Sequence, residues 1–340
     1  MRLGVKHKTT FKVGIIGFGG QGKFHFEYLW NIQPFEVSWI FDRHAERIAA
    51  LPIFLQVFSL KDALCREAQI VVIATPPSSH FYLAQTLLMA GKNVIIEKPT
   101  AVSYDETCLL LELAQHRDLF ILTYFNRRWD SDFLAVKKAL NNYDFGKIHE
   151  VESKVTDAYD LCESYPGRKA WKFIYPGGGI LLDWAPHLFD QLFELMGRKS
   201  PKYVYCHSDR PNRIVDRRLE EQFTIQIKYG KCIAIIGASW NAGLQRPRWL
   251  ICGTRAAFML DKPGECNGTI RFRQGNTTLV ERFDNPISLL ATEEFRTLVQ
   301  TSMRNRKLLR NEVRRMRMVA YGIDLARSSF IKGKPLKWEL

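Results

Sequence analysis

The sequence predicts an α/β protein in two parts, an N-terminal doubly wound parallel sheet followed by an α+β domain built on an antiparallel sheet. Three observations carry that prediction. From Phe11 to Thr123 short apolar runs alternate with amphipathic stretches of helix length, the pattern of βαβ units. After about Asn126 the apolar runs follow one another without regular intervening helices, which requires antiparallel pairing. At 340 residues the chain is also long enough for two domains with a core each. The change of pattern gives domains over residues 1–125 and 126–340.

Phe11–Ile16 reads as the first strand and Gly22–Asn31 as the helix after it. Glu36–Phe41 reads as the second strand, with a helix opening at His44. Ile70–Ala74 is apolar throughout, as a strand covered on both faces must be. A helix near Ser79–Ala90, a strand at Asn93–Glu97, a helix over Tyr104–His116 and a strand at Leu119–Tyr124 complete the alternation. In the second part a helix over Asp130–Asn141 precedes extended segments at Ile148–Val155, Lys202–His207, Glu221–Tyr229, Lys231–Trp240, Arg248–Cys252, Ala256–Leu260 and Thr269–Arg273. Tyr229-Gly230-Lys231 marks a hairpin, and Ser288–Leu340 is mostly helical by pattern.

Hydrophobic residues make up 46% of the chain and charged residues 25%, which excludes wholesale disorder and collagen-like repeats. No apolar run approaches the ~18 residues of a bilayer span, so no membrane partner is expected. The seven cysteines are at least 14 positions apart, and no Cys-x-x-Cys offers itself to zinc or a redox disulfide. With no apolar signal segment behind the basic Met1–Thr10, these features predict a cytoplasmic protein with reduced thiols. The compositional oddity is a net charge of +14. Its densest stretch sets Arg304, Arg306, Lys307, Arg310, Arg314, Arg315 and Arg317 against Glu312 alone. That reads as the solvated face of a helix, and no nucleic-acid motif accompanies it, so nucleic acid is not expected as a partner.

Gly17-Phe18-Gly19-Gly20-Gln21-Gly22 has the Gly-x-Gly-x-x-Gly spacing, and it follows a predicted strand and opens a predicted helix. In that context the first glycine permits a tight turn, the second lets a pyrophosphate approach the backbone, and the third lets helix and strand pack closely. Asp42 lies 20 residues beyond Gly22, where a carboxylate accepts hydrogen bonds from ribose hydroxyls and repels a 2′-phosphate. This favours NAD; Arg43 beside it can stack on adenine or pair with that phosphate, which leaves NADP open. Thr75-Pro76-Pro77 forms a turn at the same edge of the sheet, with His80 either capping it or touching the cofactor.

Glu97-Lys98-Pro99 ends another strand on that edge, which places Lys98 towards the nicotinamide. Far along the chain, Gly177-Gly178-Gly179 precedes a segment carrying Asp183 and His187, four apart and so on one face of a helix over Asp183–Phe193. Pro186 is compatible with that helix if it lies in the first turn. By spacing alone the Asp-His pair is a salt bridge, a metal half-site or a catalytic pair; no further ligands stand at useful spacing, so no metal is expected.

Taken together, Gly17-x-Gly19-x-x-Gly22, Thr75-Pro76-Pro77-x-x-His80, Glu97-Lys98-Pro99, Asn126-Arg127-Arg128 and Gly-Gly-x-x-x-Asp183-x-x-x-His187 resemble the Gfo/Idh/MocA family, named for glucose-fructose oxidoreductase and inositol dehydrogenase. Asn126-Arg127-Arg128-Trp129-Asp130 is similar to the branch with scyllo-inositol dehydrogenases. The resemblance implies a Rossmann domain and a C-terminal α+β domain whose large open, mainly antiparallel sheet joins the chains of a homodimer or homotetramer. It also implies a catalytic Lys-Asp-His set, which maps onto Lys98, Asp183 and His187. Ala185, where many members have glycine, and Ala256-Ala257 after Gly253-Thr254 depart from the pattern without removing a reacting group.

The reaction so implied is hydride transfer between NAD(P) and a secondary hydroxyl of a sugar, cyclitol or related polyol. It needs a base for the hydroxyl proton and positive charge beside the developing alkoxide. His187 suits the first role and Lys98 the second, while Asp183 binds a neighbouring hydroxyl or orients the group that does. Asn126, Arg127, Tyr159, Arg168, Trp171 and Tyr175 are candidates for the sugar pocket, because polyols are held by polar edges and aromatic faces. Two rivals share the fold: a glycosidase that uses NAD transiently, and a non-enzymatic regulator that binds NAD or sugar.

Overall fold

The computed structural model describes residues 10–31, 34–156, 170–197, 199–210, 217–240, 246–262, 267–272, 278–282, 299 and 306–340. The chain divides into two compact units, Met1–Tyr124 with Asn305–Val313 and Phe125–Arg304 with Arg314–Leu340.

The first unit carries six strands: β1 (Phe11–Ile16), β2 (Phe35–Phe41), β3 (Gln56–Val57), β4 (Ile70–Ile73), β5 (Asn93–Glu97) and β6 (Ile121–Tyr124). They pair in the order β3-β2-β1-β4-β5-β6, and every pair is parallel. This is the doubly wound arrangement expected from the sequence, with its order reversing between β1 and β4, where such sheets bind ligands. Its helices are α1 (Gly20–Trp30), α2 (Leu60–Cys65), α3 (His80–Met89) and α4 (Tyr104–His116). All four residues of β4 are buried, and each such aliphatic side chain contributes about 1.5–3 kcal/mol when withdrawn from water. Ser103 caps α4 by accepting from the Glu106 N–H, and the Glu106 carboxylate reaches back to the Val102 N–H.

The helix expected to open at His44 is instead a single 3-10 turn, Ala45–Arg47. The Asp42 carboxylate takes the His44 N–H, and Pro52 bars a longer helix through this stretch. The regular helix starts later, as α2, where Ser59 accepts from the Asp62 N–H.

The second unit opens with α5 (Ser131–Asn142), β7 (Ile148–Thr156) and α6 (Ile180–Met196). Strands β8 (Tyr203–Asp209), β9 (Gln222–Tyr229), β10 (Cys232–Ser239), β11 (Trp249–Gly253), β12 (Ala256–Leu260), β13 (Asn267–Phe272) and β14 (Thr278–Arg282) follow, then α7 (Arg306–Lys332), whose residues up to Val313 are counted with the first unit, and β15 (Leu336–Lys337). The sheet order is β14-β13-β12-β11-β7-β10-β9-β8-β15, antiparallel except where β10 runs parallel to β7. Gly230, at φ +57°, makes the β9–β10 hairpin.

One face of this sheet packs on α6 through β9 and β10. On the other, Tyr203, Tyr205, Ile233 and Met259 are exposed, and cross-strand register aligns Tyr205, Gln226, Ile235, Glu152, Leu250 and Met259 in one row. In α7 the basic residues do not form a wholly solvated face. Arg310 and Arg314 are exposed, but Arg315 turns inward to donate to the Asp190 carbonyl. Arg304 and the side chains of Arg306 and Lys307 lie outside the described residues. Among the described residues no helix is long and apolar enough to cross a membrane.

Candidate active site

The glycine turn follows β1 at the point where the sheet order reverses. Gly17 sits at φ +91°, and a Cβ there would lie 2.7 Å from the Ala74 carbonyl oxygen. A Cβ on Gly22 would lie 1.9 Å from the Gly17 carbonyl oxygen, so α1 can pack on the turn only through glycine. Gly19 differs: a Cβ on it, or on Gly20, would meet nothing within 4 Å. Packing therefore explains Gly17 and Gly22 but leaves Gly19 unexplained, and Gly20 and Gln21 beside it are exposed at the start of α1. A backbone held bare at a helix N-terminus fits a dinucleotide pyrophosphate.

Asp42 is buried and anchors this turn. Its Oδ2 accepts from the Phe18 N–H at 2.6 Å and its Oδ1 from the His44 N–H at 2.8 Å, while Arg47 stands 3.3 Å away. A carboxylate has about four acceptor positions, so these contacts leave capacity for a ribose hydroxyl. Arg43 is exposed, with its Nε on His44 Nε2 at 3.1 Å.

Between the ends of β4 and β5, His80 is fully buried, with Nδ1 2.8 Å from the Pro99 carbonyl and Nε2 2.9 Å from the Thr75 carbonyl. Both nitrogens face backbone, so the ring ties two turns together. Burial pushes its pKa below the ordinary 6.5 although both carbonyls pull the other way. Ser79 donates to Thr75 Oγ1 at 2.7 Å, Pro76 lies in the turn and Pro77 is buried in the 3-10 turn after it. Glu97 is buried, and its Oε1 lies 2.8 Å from His25 Nε2 on α1; Lys98 beside it is half-buried.

In the second unit the chemistry gathers on α6. Gly178 and Gly179 fold back on a 3-10 turn, Ala170–Phe173, with the Gly179 N–H donating to the Lys172 carbonyl at 2.7 Å. A Cβ on Gly178 would lie 2.5 Å from that same carbonyl oxygen. The close approach sets Lys172 against Asp183 in the first turn of α6, where its Nζ donates to Asp183 Oδ2. His187 follows one turn later, buried, with its ring edge to face with Trp184 at 6.0 Å. Arg127 stacks on Trp184 at 4.2 Å and pairs with Asp130, whose pKa burial raises against the pull of Arg127.

Pro186 is not in the first turn of α6, because the helix starts at Ile180; its missing N–H falls inside the helix, which continues to Met196. The helix begins early because the Ile180 N–H finds the Glu220 carbonyl at 3.0 Å. Two polar anchors hold it further along. Arg128 forks onto Asp190 with two bonds of 2.7 Å, and Gln191 donates to the Arg127 carbonyl and accepts from the buried Arg248.

Among the residues expected in a sugar pocket, Asn126 and Trp171 are half-buried, while Tyr175 is exposed and stacked by Arg218 at 4.1 Å. Tyr159 and Arg168 lie outside the described residues. Sequence reasoning missed His25 and Lys172. His25 stands three residues after Gly22, and Lys172 six before Gly178, so each sat beside a glycine whose close approach was the available signal. Among the described residues, no group of three or more His, Cys, Asp or Glu could hold a metal ion.

Residues 11–125 match an oxidoreductase family with an NAD-binding Rossmann fold, and residues 133–259 match the GFO/IDH/MocA C-terminal domain. The oxidoreductase YhhX of Escherichia coli is 31% identical over 250 residues, covering 72% of this chain and 69% of that protein. The scyllo-inositol 2-dehydrogenase (NADP(+)) IolW of Bacillus subtilis is 26% identical over 259 residues, covering 75% and 70% of the two chains. In fold, the chain is similar to an NAD-binding protein of Listeria innocua, with TM-score 0.83, 24% identity and 97% of each chain covered. It is also similar to GenD2 from gentamicin A biosynthesis in complex with NAD, with TM-score 0.75, 18% identity and both chains fully covered. With both domains matched in order and relatives of this identity over most of both chains, this protein belongs to the Gfo/Idh/MocA family of NAD(P)-dependent oxidoreductases.

Proposed function

We propose that this dehydrogenase interconverts a secondary hydroxyl and a ketone on a sugar, cyclitol or related polyol. The observation that carries this reading is the cluster on α6: Asp183 and His187 on one helix face, with Asp183 held by Lys172. The inositol 2-dehydrogenase names among the relatives support the substrate class. A bound nicotinamide supplies the hydride acceptor or donor.

The remaining chemistry falls to side chains. His187 takes the hydroxyl proton, Lys98 places positive charge at the oxygen that becomes an alkoxide, and Asp183 holds an adjacent hydroxyl. Lys172 orients the Asp183 carboxylate for that part by donating to its Oδ2. The bare backbone at Gly19 receives the pyrophosphate, and Asp42 beside it favours NAD over NADP by repelling a 2′-phosphate. The face bearing Tyr203, Tyr205, Ile233 and Met259 is the surface through which copies of the chain associate as a homodimer or homotetramer; light scattering on an Ile233→Glu variant tests this by the mass it reports.

The experiment for the reaction follows NADH and NADPH fluorescence across inositols, hexoses, aminosugars and sugar acids. On a substrate so found, His187→Ala and Lys98→Ala each lower turnover by about 10²- to 10⁴-fold. Unchanged turnover in both variants overturns the assignment, and cleavage of a glycoside without net NADH replaces it with the glycosidase reading.

A further inference from the structure

The residues on either side of Lys98 are tied to three different elements. Before it, the Glu97 carboxylate meets His25 of α1 at 2.8 Å. After it, the Pro99 carbonyl meets His80 of α3 at 2.8 Å, and Thr100 Oγ1 meets Thr123 Oγ1 of β6 at 2.7 Å. Both histidines are buried, at 1% and 0% exposure, and the His25 ring lies 4.9 Å from that of Tyr124. An apolar pair of similar volume would fill the space around His25 and Glu97 without the cost of desolvating a carboxylate. What an apolar pair cannot do is fix the carboxylate in one direction.

We infer that His25 is a positioning residue for Lys98: it acts through Glu97, holding that carboxylate so that the neighbouring ammonium keeps its direction for the substrate oxygen. The inference rests on the reading of Lys98 as the residue that meets the reacting oxygen. His80 braces the other side of the same turn by holding Pro99. Without His25, a buried carboxylate is left without its ring partner one residue from Lys98. A carboxylate brought nearer to an ammonium raises its pKa, and a misplaced charge loses the reacting geometry.

The test needs no substrate. Competitive labelling of the full-length protein with acetic anhydride across pH, read by mass spectrometry, reports the pKa and reactivity of each lysine. In the His25→Phe variant the ring volume stays and the hydrogen bond goes; Lys98 should titrate about one unit higher, a tenfold loss of labelling at fixed pH. Exposed Lys61, outside this turn, should label as before. His25→Gln, which can still donate to Glu97, should restore the Lys98 profile even if its melting temperature falls. If His25→Phe does not fold, His25→Asn, too short to reach Glu97, takes its place. A Lys98 profile equal to wild type in the Phe or Asn variant overturns the inference and leaves His25 a packing residue. The turnover of Lys98→Ala is read separately, so failure of the catalytic assignment shows there and not in the labelling.

Discussion

Lys172 and Asp183 form a buried ion pair across the turn that starts α6, with their side chains 11% and 10% exposed. Breaking such a pair from one side leaves a charge in low dielectric and costs about 3–5 kcal/mol, whereas removing both charges costs much less. Lys172→Met should therefore lower unfolding free energy by roughly that amount in urea titration, and the double variant Lys172→Met/Asp183→Leu should recover most of it. If the two single effects simply add, the pair is not coupled and Lys172 does not hold Asp183.

His80 gives stability a pH dependence of known sign. Its pKa in the folded chain lies below the ordinary 6.5, chiefly because it is buried, so the unfolded chain binds the proton more readily. Stability from this site is complete above the unfolded value and declines as pH falls through 6.5 towards the lower folded value. Melting temperature followed from about pH 7 to pH 5 should fall less steeply in His80→Gln, whose amide does not titrate. Equal slopes in the two proteins would show that the histidine carries no part of the pH dependence.

The glycines of the β1 turn separate folding from binding. Gly17→Ala and Gly22→Ala each drive a Cβ into backbone, at 2.7 and 1.9 Å, and should lower the melting temperature sharply. Gly19→Ala meets no protein atom and has an ordinary φ of −76°, so its unfolding free energy should stay within about 1 kcal/mol of wild type. NADH titration by fluorescence should nonetheless show weakened binding in this variant. Wild-type affinity in Gly19→Ala would mean the bare backbone is not where the pyrophosphate rests.

The parallel strands of the first unit were legible in the sequence because strands buried on both faces must be apolar throughout, as Ile70–Ile73 is, and the glycine turn because Gly17 accepts no side chain; the order of the strands was not. Asp183 and His187 were legible because their spacing is local to one helix. The partners that hold them were not. His25 and Glu97 are 72 positions apart, Arg128 and Asp190 62, and neither spacing has a period that a sequence displays. Lys172 is 11 positions from Asp183, yet the intervening glycines, not a helical repeat, bring the two together. β3 and β15, two residues each, are too short to show alternation, and they exist only because a neighbouring strand offers an edge. Pro186 misled the placement of the α6 start, since the first turn is set by Glu220 accepting from Ile180, a contact between distant segments.

The proposed function gives Asp42 two parts that substitution can pull apart. As proposed, its charge opposes a 2′-phosphate; in the structure its Oδ2 holds the Phe18 N–H inside the glycine turn. Asp42→Ser removes both, so NADH binding should weaken and the preference for NADH over NADPH should shrink. Part of the loss is common to both cofactors, because an unpaired buried N–H costs about 1–3 kcal/mol. Asp42→Asn keeps an acceptor for Phe18 but drops the charge, and should relax discrimination with a smaller loss of NADH affinity. Arg43→Ala sharpens the contrast: if that exposed guanidinium takes the phosphate, NADPH affinity falls and NADH affinity does not. Fluorescence titration of the three variants with NADH and NADPH decides the matter. A NADH-to-NADPH ratio unchanged in both Asp42 variants would remove Asp42 from cofactor choice and leave it as the brace of the turn.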